Sequence, residues 1–235
     1  MPARFRRPRE EAKGRSRSAR PDYPAARDRS KVLKPGEERP RMTHHPALTI
    51  LAVLGLPAIG LTLWAWGQPL ICTCGYVQLW VGSIWDSGNS QHIADWYTLS
   101  HIIHGLLIGL LGWALAGRLP FGWTYALAIL TGVGWEIVEH TTWVLDAFRA
   151  TTINQGYLGD SVLNAVADYV FMMGGFALAS AIRPLWSVLL IVVLELTASL
   201  IARDSLSLST LSLIWPIEAV DQWQQELNPR ADGTD

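Results

Sequence analysis

Basic residues are scarce in most of this chain. Residues 42–235 hold five Lys and Arg against 14 Asp and Glu, a net charge of −9, while residues 1–41 hold the other 14 with six acids, a net charge of +8. The overall charge of −1 therefore hides a basic tail on an acidic body. Cysteine is scarcer still, with Cys72 and Cys74 alone. Two cysteines exclude a disulfide framework, and the spacing excludes a C-x-x-C metal knuckle or redox motif. There is no H-E-x-x-H, so the zinc-protease signature is absent, and no internal repeat is visible.

What the chain has is apolar length: half of it is hydrophobic, and 12 tryptophans suit a protein with rings at a membrane–water interface. Residues 1–46 are rich in Arg, Pro, Ser and Glu without an apolar period, which predicts a disordered basic tail. Such a tail suits contact with anionic lipid or nucleic acid. A solvated cytoplasmic tail explains it better, and no nucleic-acid partner is expected. Met42 follows the basic run directly and is a candidate translation start. A membrane helical domain is expected over residues 47–225 and a disordered tail over 226–235. Leu48–Trp66 carries no charge and is long enough to cross a bilayer, with Pro57 as a potential kink. Tyr97–Gly117, Trp123–Leu145, Ser161–Ile182 and Leu185–Ala202 read as four more spans, with Asp160 as the N-cap of the fourth. Residues 206–215 would extend only ~15 Å as a helix, about half a bilayer, so a half-inserted helix or a short sixth span follows. The expected fold is an all-α polytopic membrane bundle. Basic residues in the tail and at the turns marked by Arg118 and Arg183 put the N-terminus in the cytoplasm by the positive-inside rule.

Ionisable groups within spans are costly unless they pair or face a cavity, and here they converge. At ~1.5 Å per residue, His101 and His104 lie roughly 6–10 Å below the outer end of the second span. Glu136 and Glu139 lie at similar depth on the third, Asn164 and Asp168 on the fourth, and Glu195 on the fifth. Residues three and four apart share a helix face. His101, His104, Gly105, Gly109 and Gly112 form one stripe; Asp160, Asn164, Asp168, Met172 and Gly175 form another. Small residues on these stripes let backbones approach in a bilayer. The expectation is a bundle packed closely at its cytoplasmic end, with a polar pocket open to the periplasm.

Several chemistries fit these residue types. His101, His104 and Glu139 suit a divalent metal, although a His–Glu network that merely satisfies buried charge explains them as well. His101, His104, Glu136, Glu139 and Asp168 are the candidates for acid–base catalysis, with Asn164, Asp160 and Arg203 as candidates for holding a substrate. Capping accounts for Asp160, and an interfacial anchor or local ion pair accounts for Arg203. Cys72 and Cys74 face an oxidising compartment in this topology. A disulfide over one intervening residue departs from ordinary geometry, so metal binding and simple packing stand beside it.

Six stretches carry a resemblance. They are Ile71-Cys72-Thr73-Cys74-Gly75, Ser87-Gly88-Asn89-Ser90-Gln91-His92, Asp95 through Gly105, Gly134-Trp135-Glu136-Ile137-Val138-Glu139, Gly159 through Asn164, and Arg203 through Leu208. In this order they resemble uncharacterised protein family 0314, also called domain of unknown function 2585, over about residues 65–225. The resemblance implies a multi-pass bacterial inner-membrane protein and no assigned catalytic residue. At the position of His140 the family usually has Asn. A weaker similarity links the chain to VanZ-like membrane proteins, as analogy alone. The function expected is binding or structural, with the lipid bilayer, and a lipid headgroup or lipid-linked substrate, as partners. The alternatives are a membrane-embedded hydrolase or transferase, metal-dependent or acid–base, acting on a lipid-linked substrate, and a small transporter with Asp168 and Glu195 on a proton path.

Overall fold

The computed structural model describes residues 45–151 and 157–228. The Met42 start, the basic tail up to residue 44 and the C-terminal tail beyond Asn228 lie outside the described residues. The described residues form eight helices and no strand: α1 (Pro46–Ala65), α2 (Trp96–Ala114), α3 (Phe121–Glu139), α4 (Thr142–Thr151), α5 (Val162–Ala181), α6 (Pro184–Ile201), α7 (Leu206–Ile214) and α8 (Glu218–Gln225). The chain is all-α, and α1, α2, α3, α5 and α6 are long and apolar enough to cross a membrane.

Helices α2 and α5 are the central pair. They run parallel, so the contacts advance together along both, from Thr98 on Asp168 to Trp113, whose indole N–H donates to the Ala179 carbonyl at 2.8 Å. Their backbones meet directly midway. A Cβ on Gly105 would overlap the Met172 carbonyl, one on Gly109 would overlap the Ala179 methyl, and one on Gly175 would overlap the Ile102 carbonyl. Between apolar helices in lipid no hydrophobic force operates, so this close packing is what holds the pair.

Helix α1 buries Gly55, Ile59 and Leu63, a stripe four residues apart, against Ala165 and Tyr169 of α5. The Tyr169 hydroxyl donates to the Ala52 carbonyl at 3.0 Å, one turn before Pro57, through which the helix continues. The rest of α1 and most of α6 are apolar and outward-facing, with Leu61, Trp64, Leu185 and Leu200 all exposed. A second cluster joins Ile108 of α2, Ala128 of α3, and Met172 and Phe176 of α5.

The third span is shorter than its apolar run suggests. It ends at Glu139 rather than Leu145 because side chains capture its last carbonyls. The His140 Nδ1–H donates to the Glu136 carbonyl (2.7 Å), and the Thr141 hydroxyl donates to that of Val138 (2.7 Å). The chain then restarts as the separate helix α4. At α5 the N-cap is Ser161, whose Oγ accepts from Asn164 N–H at 3.1 Å, and not Asp160. The next orphan donors of α5 are met from afar, Val162 N–H by the Pro69 carbonyl and Leu163 N–H by that of Leu70. The irregular segment from Trp66 to Asp95 is thereby tied over the end of the bundle where α2 and α5 begin. The nine residues of α7 match the expected half-span, and α8 follows beyond Pro216.

Candidate functional site

The site is built from the first turns of α2. Asp95 caps the helix through Oδ1, which accepts from Tyr97 N–H at 2.8 Å, while its own N–H donates to Thr98 Oγ1 at 3.1 Å. This reciprocal box satisfies two otherwise orphaned donors. The other Asp95 oxygen accepts from Ser90 N–H at 2.7 Å, and Ser90 adopts φ +61°. Burial pushes the Asp95 carboxyl up to about 6, against the pull of these N–H donors. The Thr98 hydroxyl in turn donates to Asp168 Oδ1 at 2.9 Å. One bond chain thus runs from the loop through the cap to a carboxylate inside α5.

One turn further on, His101 reaches both neighbouring helices. Its Nδ1 lies 3.3 Å from Glu136 Oε1 on α3 and its Nε2 lies 3.8 Å from Asp168 Oδ2 on α5. All three side chains are buried. An imidazole held between two carboxylates can carry a proton from one to the other.

A second group meets it from the residues just before α5. The Tyr157 hydroxyl donates to Asp160 Oδ1 at 2.6 Å and lies 3.3 Å from Glu139 Oε1. Asp160 N–H donates to His140 Nε2 at 2.8 Å. His140 thus accepts on one nitrogen and donates on the other, and an Asn amide can serve both roles too. Burial raises the Asp160 carboxyl above its ordinary range, opposed by His140 and the Tyr157 hydroxyl. Burial, then the Asp160 charge, holds the Tyr157 phenol well above 10. Glu136, Glu139 and Asp160 each bring one oxygen within 4.8 Å of the others, close enough to share a metal ion. Among the described residues, the Oε2 atoms of Glu136 and Glu139 are buried and have no hydrogen-bond partner. Buried carboxylate oxygens without a donor are costly unless a cation or proton compensates them.

These groups border a cavity of about 200 Å³. His101, His104, Glu139, Tyr157, Asp160 and Asp168 are among its polar lining residues, and Trp135, Phe148, Leu206 and Leu213 among its apolar ones. Among the described residues, no Lys or Arg lines it.

Of the residues singled out from the sequence, His101, His104, Glu139, Asp160 and Asp168 line this cavity, and Glu136 stands behind His101. His101 and His104 belong to neither three-donor group among the described residues. Asn164 is turned to the loop, its Nδ2 donating to the His92 carbonyl at 2.9 Å. Arg203 is elsewhere, bonded to Glu226 Oε2 at 2.7 Å and to the Trp223 carbonyl. Glu195 accepts from Ser207 N–H at 2.7 Å, capping α7, and does not line the cavity. Sequence reasoning missed Thr98, Tyr157 and the α7 wall. Thr98 had a signal in Asp95-x-x-Thr98, a capping box directly before His101. On α7, Leu206, Ser209, Thr210 and Leu213 fall at i, i+3, i+4 and i+7, a helical face. Tyr157 had none: it stands three residues before Asp160 and 18 after Glu139, spacings that form no recognisable local pattern outside a helix.

Comparison with known proteins agrees with the resemblance. The profile of the family described as Protein of unknown function (DUF2585) matches residues 63–226. A UPF0314 protein of Paracoccus denitrificans is 46% identical over 183 residues, covering 77% of this chain and 93% of its own length. One from Sinorhizobium fredii is 46% identical over 179 residues, covering 76% and 91%. One from Novosphingobium aromaticivorans is 42% identical over 180 residues, covering 74% and 91%. No solved structure matches the chain significantly.

Proposed function

The chain belongs to the DUF2585 (UPF0314) family of unknown function, and from that starting point we propose that it is a multi-pass protein of the bacterial inner membrane that binds a hard divalent cation beside the polar end of a membrane amphiphile. The observation that carries the reading is the mixed lining of the cavity, where acids and imidazoles meet Trp135, Phe148, Leu206 and Leu213. An amphiphile carries the same mixture of polar and apolar groups. With no Lys or Arg among the described residues of its lining, the cavity would take a phosphate-bearing headgroup only through a cation. The all-oxygen set of Glu136, Glu139 and Asp160 suits Mg²⁺, Mn²⁺ or Ca²⁺. The basic segment before α1, with Arg118 and Arg183 at the opposite end of the bundle, supports a cytoplasmic N-terminus and a cavity open to the periplasm.

Calorimetric titration of the detergent-purified, EDTA-washed protein with Mn²⁺ tests this. Saturable binding to wild type, lost or weakened about tenfold or more in Glu139→Gln and retained in His104→Ala, supports the reading. Wild type without saturable uptake of Mn²⁺, Mg²⁺ or Ca²⁺ refutes it. The position of His101 between Glu136 and Asp168 favours a second reading, acid–base hydrolysis or transfer on a lipid-linked substrate. There His101 moves the proton and Asp168 orients it. Turnover of an added lipid phosphate, abolished by His101→Asn, would favour that reading over binding alone.

A further inference from the structure

Outside the cavity, the Trp66–Asp95 segment carries a second cluster of reactive groups. Cys72 and Cys74 are joined by a disulfide. Cys72 is buried at 5% exposure and Cys74 is exposed. His92, 1% exposed, points Nε2 at Cys74 Sγ across 3.9 Å. Three contacts fix that ring. Tyr76 stacks on it with centroids 5.4 Å apart, Gly88 lies so close that a Cβ would press on Nε2, and Gln78 N–H donates to Nδ1 at 3.2 Å.

Two sulfurs and an imidazole within 4.8 Å of one another invite a metal reading once the bond is reduced. The Gln78 contact argues against it. A ring that accepts on Nδ1 carries its hydrogen on Nε2, the atom a metal would need as a lone pair. Metal-bound histidines have the reverse arrangement, with the second nitrogen donating to an acceptor. An Nε2–H aimed at sulfur is instead a donor for a thiolate.

We propose that Cys72 and Cys74 form an exchangeable disulfide that takes two electrons from a dithiol, with His92 stabilising the Cys74 thiolate. The exposed sulfur fixes the direction of attack. A thiolate of the dithiol attacks Cys74 Sγ, the Cys72–Cys74 bond breaks, and its electron pair leaves on Cys72 Sγ. That sulfur already accepts from Cys74 N–H at 3.2 Å, which favours it as the leaving group. The second thiolate of the dithiol then attacks its own sulfur in the mixed disulfide. The dithiol leaves as a cyclic disulfide, and Cys74 is released as a thiolate facing His92 Nε2–H. Two protons, those the dithiol gave up, end on Cys72 and Cys74, and the Tyr76 carbonyl oxygen, 3.6 Å from Cys74 Sγ, is placed to accept the Cys74 thiol hydrogen. The reverse sequence passes two electrons to an oxidised partner.

The test uses the full chain in detergent and a maleimide that counts free thiols. Dithiothreitol without denaturant is expected to liberate both thiols, and oxidised dithiothreitol at equilibrium is expected to close them again. In Cys72→Ser the remaining Cys74 is expected to alkylate with a midpoint below the ordinary thiol value of about 8.5. Cys72→Ser combined with His92→Phe is expected to slow that reaction about tenfold at neutral pH, and Cys72→Ser combined with His92→Gln, whose amide can still donate, is expected to restore it. The proposal is overturned if the bond is reduced only after unfolding. It is overturned in favour of a metal site if the reduced protein retains Zn²⁺ through gel filtration and resists alkylation.

Discussion

The same two helices make two different contacts along one seam. At Gly105, Gly109 and Gly175, α2 and α5 press backbone against backbone. Toward the N-terminal ends, at Thr98, His101 and Asp168, the same pair meets through polar side chains beside a cavity. The difference is one of side-chain size and partner supply. Small residues allow close packing, which needs no polar partner. The polar end is held by hydrogen bonds to loop backbone, which a bilayer interior would not provide. One half is held by shape and the other by hydrogen bonds, so the two are expected to fail separately.

The largest way to disturb this contrast is at the closed half. Gly105→Ala places a methyl on the Met172 carbonyl and is expected to cost about 3 kcal/mol or more, read as a lower midpoint of thermal unfolding in detergent. An unchanged midpoint would mean that the seam is not close-packed. At the open half, Asn164→Ala removes the donor to the His92 carbonyl and is expected to cost about 1–2 kcal/mol in the same assay, without the steric overlap of the first.

A third effect depends on pH. Asp204 is buried beside the Tyr97 hydroxyl, Ser205 and Ser209, with Glu195 as the nearby charge, and burial pushes its carboxyl up to about 6. A carboxyl with a folded value above its unfolded one binds more protons when folded. Its contribution to stability is therefore present in full at low pH and is lost as pH rises from about 4 through about 6. Asp204→Asn is expected to flatten that part of the pH–stability curve, and an unaltered slope would count against it. The smallest effect has the opposite sign. A Cβ on Gly134 meets nothing within 4 Å, so Gly134→Ala on α3 is expected to stabilise by up to about 1 kcal/mol, in contrast to Gly105→Ala on α2.

Much of this contrast was legible in the sequence, because both halves are written in local periodicity. Gly105 and Gly109 follow His101 at helical spacing, so one stripe carries the polar group and the small residues together. The five spans followed from apolar length alone. Features set by long-range contacts did not. Trp123–Leu145 reads as one run because apolar composition continues past Glu139, yet His140 and Thr141 turn back on the helix and end it. Asp160 resembles a cap by its neighbours Gly159 and Ser161. In the fold Ser161 takes that role and Asp160 is free to meet Tyr157 and Glu139. The pairing of Cys72 with Cys74 stood open between bridge, metal and packing, and the structure joins them.

The most direct test of the account combines both halves in one assay, the shift of the unfolding midpoint on adding Mn²⁺ to EDTA-treated protein. A ligand that binds only the folded state raises the midpoint with concentration. The account predicts a rise in wild type, a smaller rise or none in Glu139→Gln, and a rise of wild-type size from a lower starting point in Gly105→Ala. A wild-type midpoint indifferent to Mn²⁺, Mg²⁺ and Ca²⁺, or a Glu139→Gln variant that responds as wild type does, would contradict it.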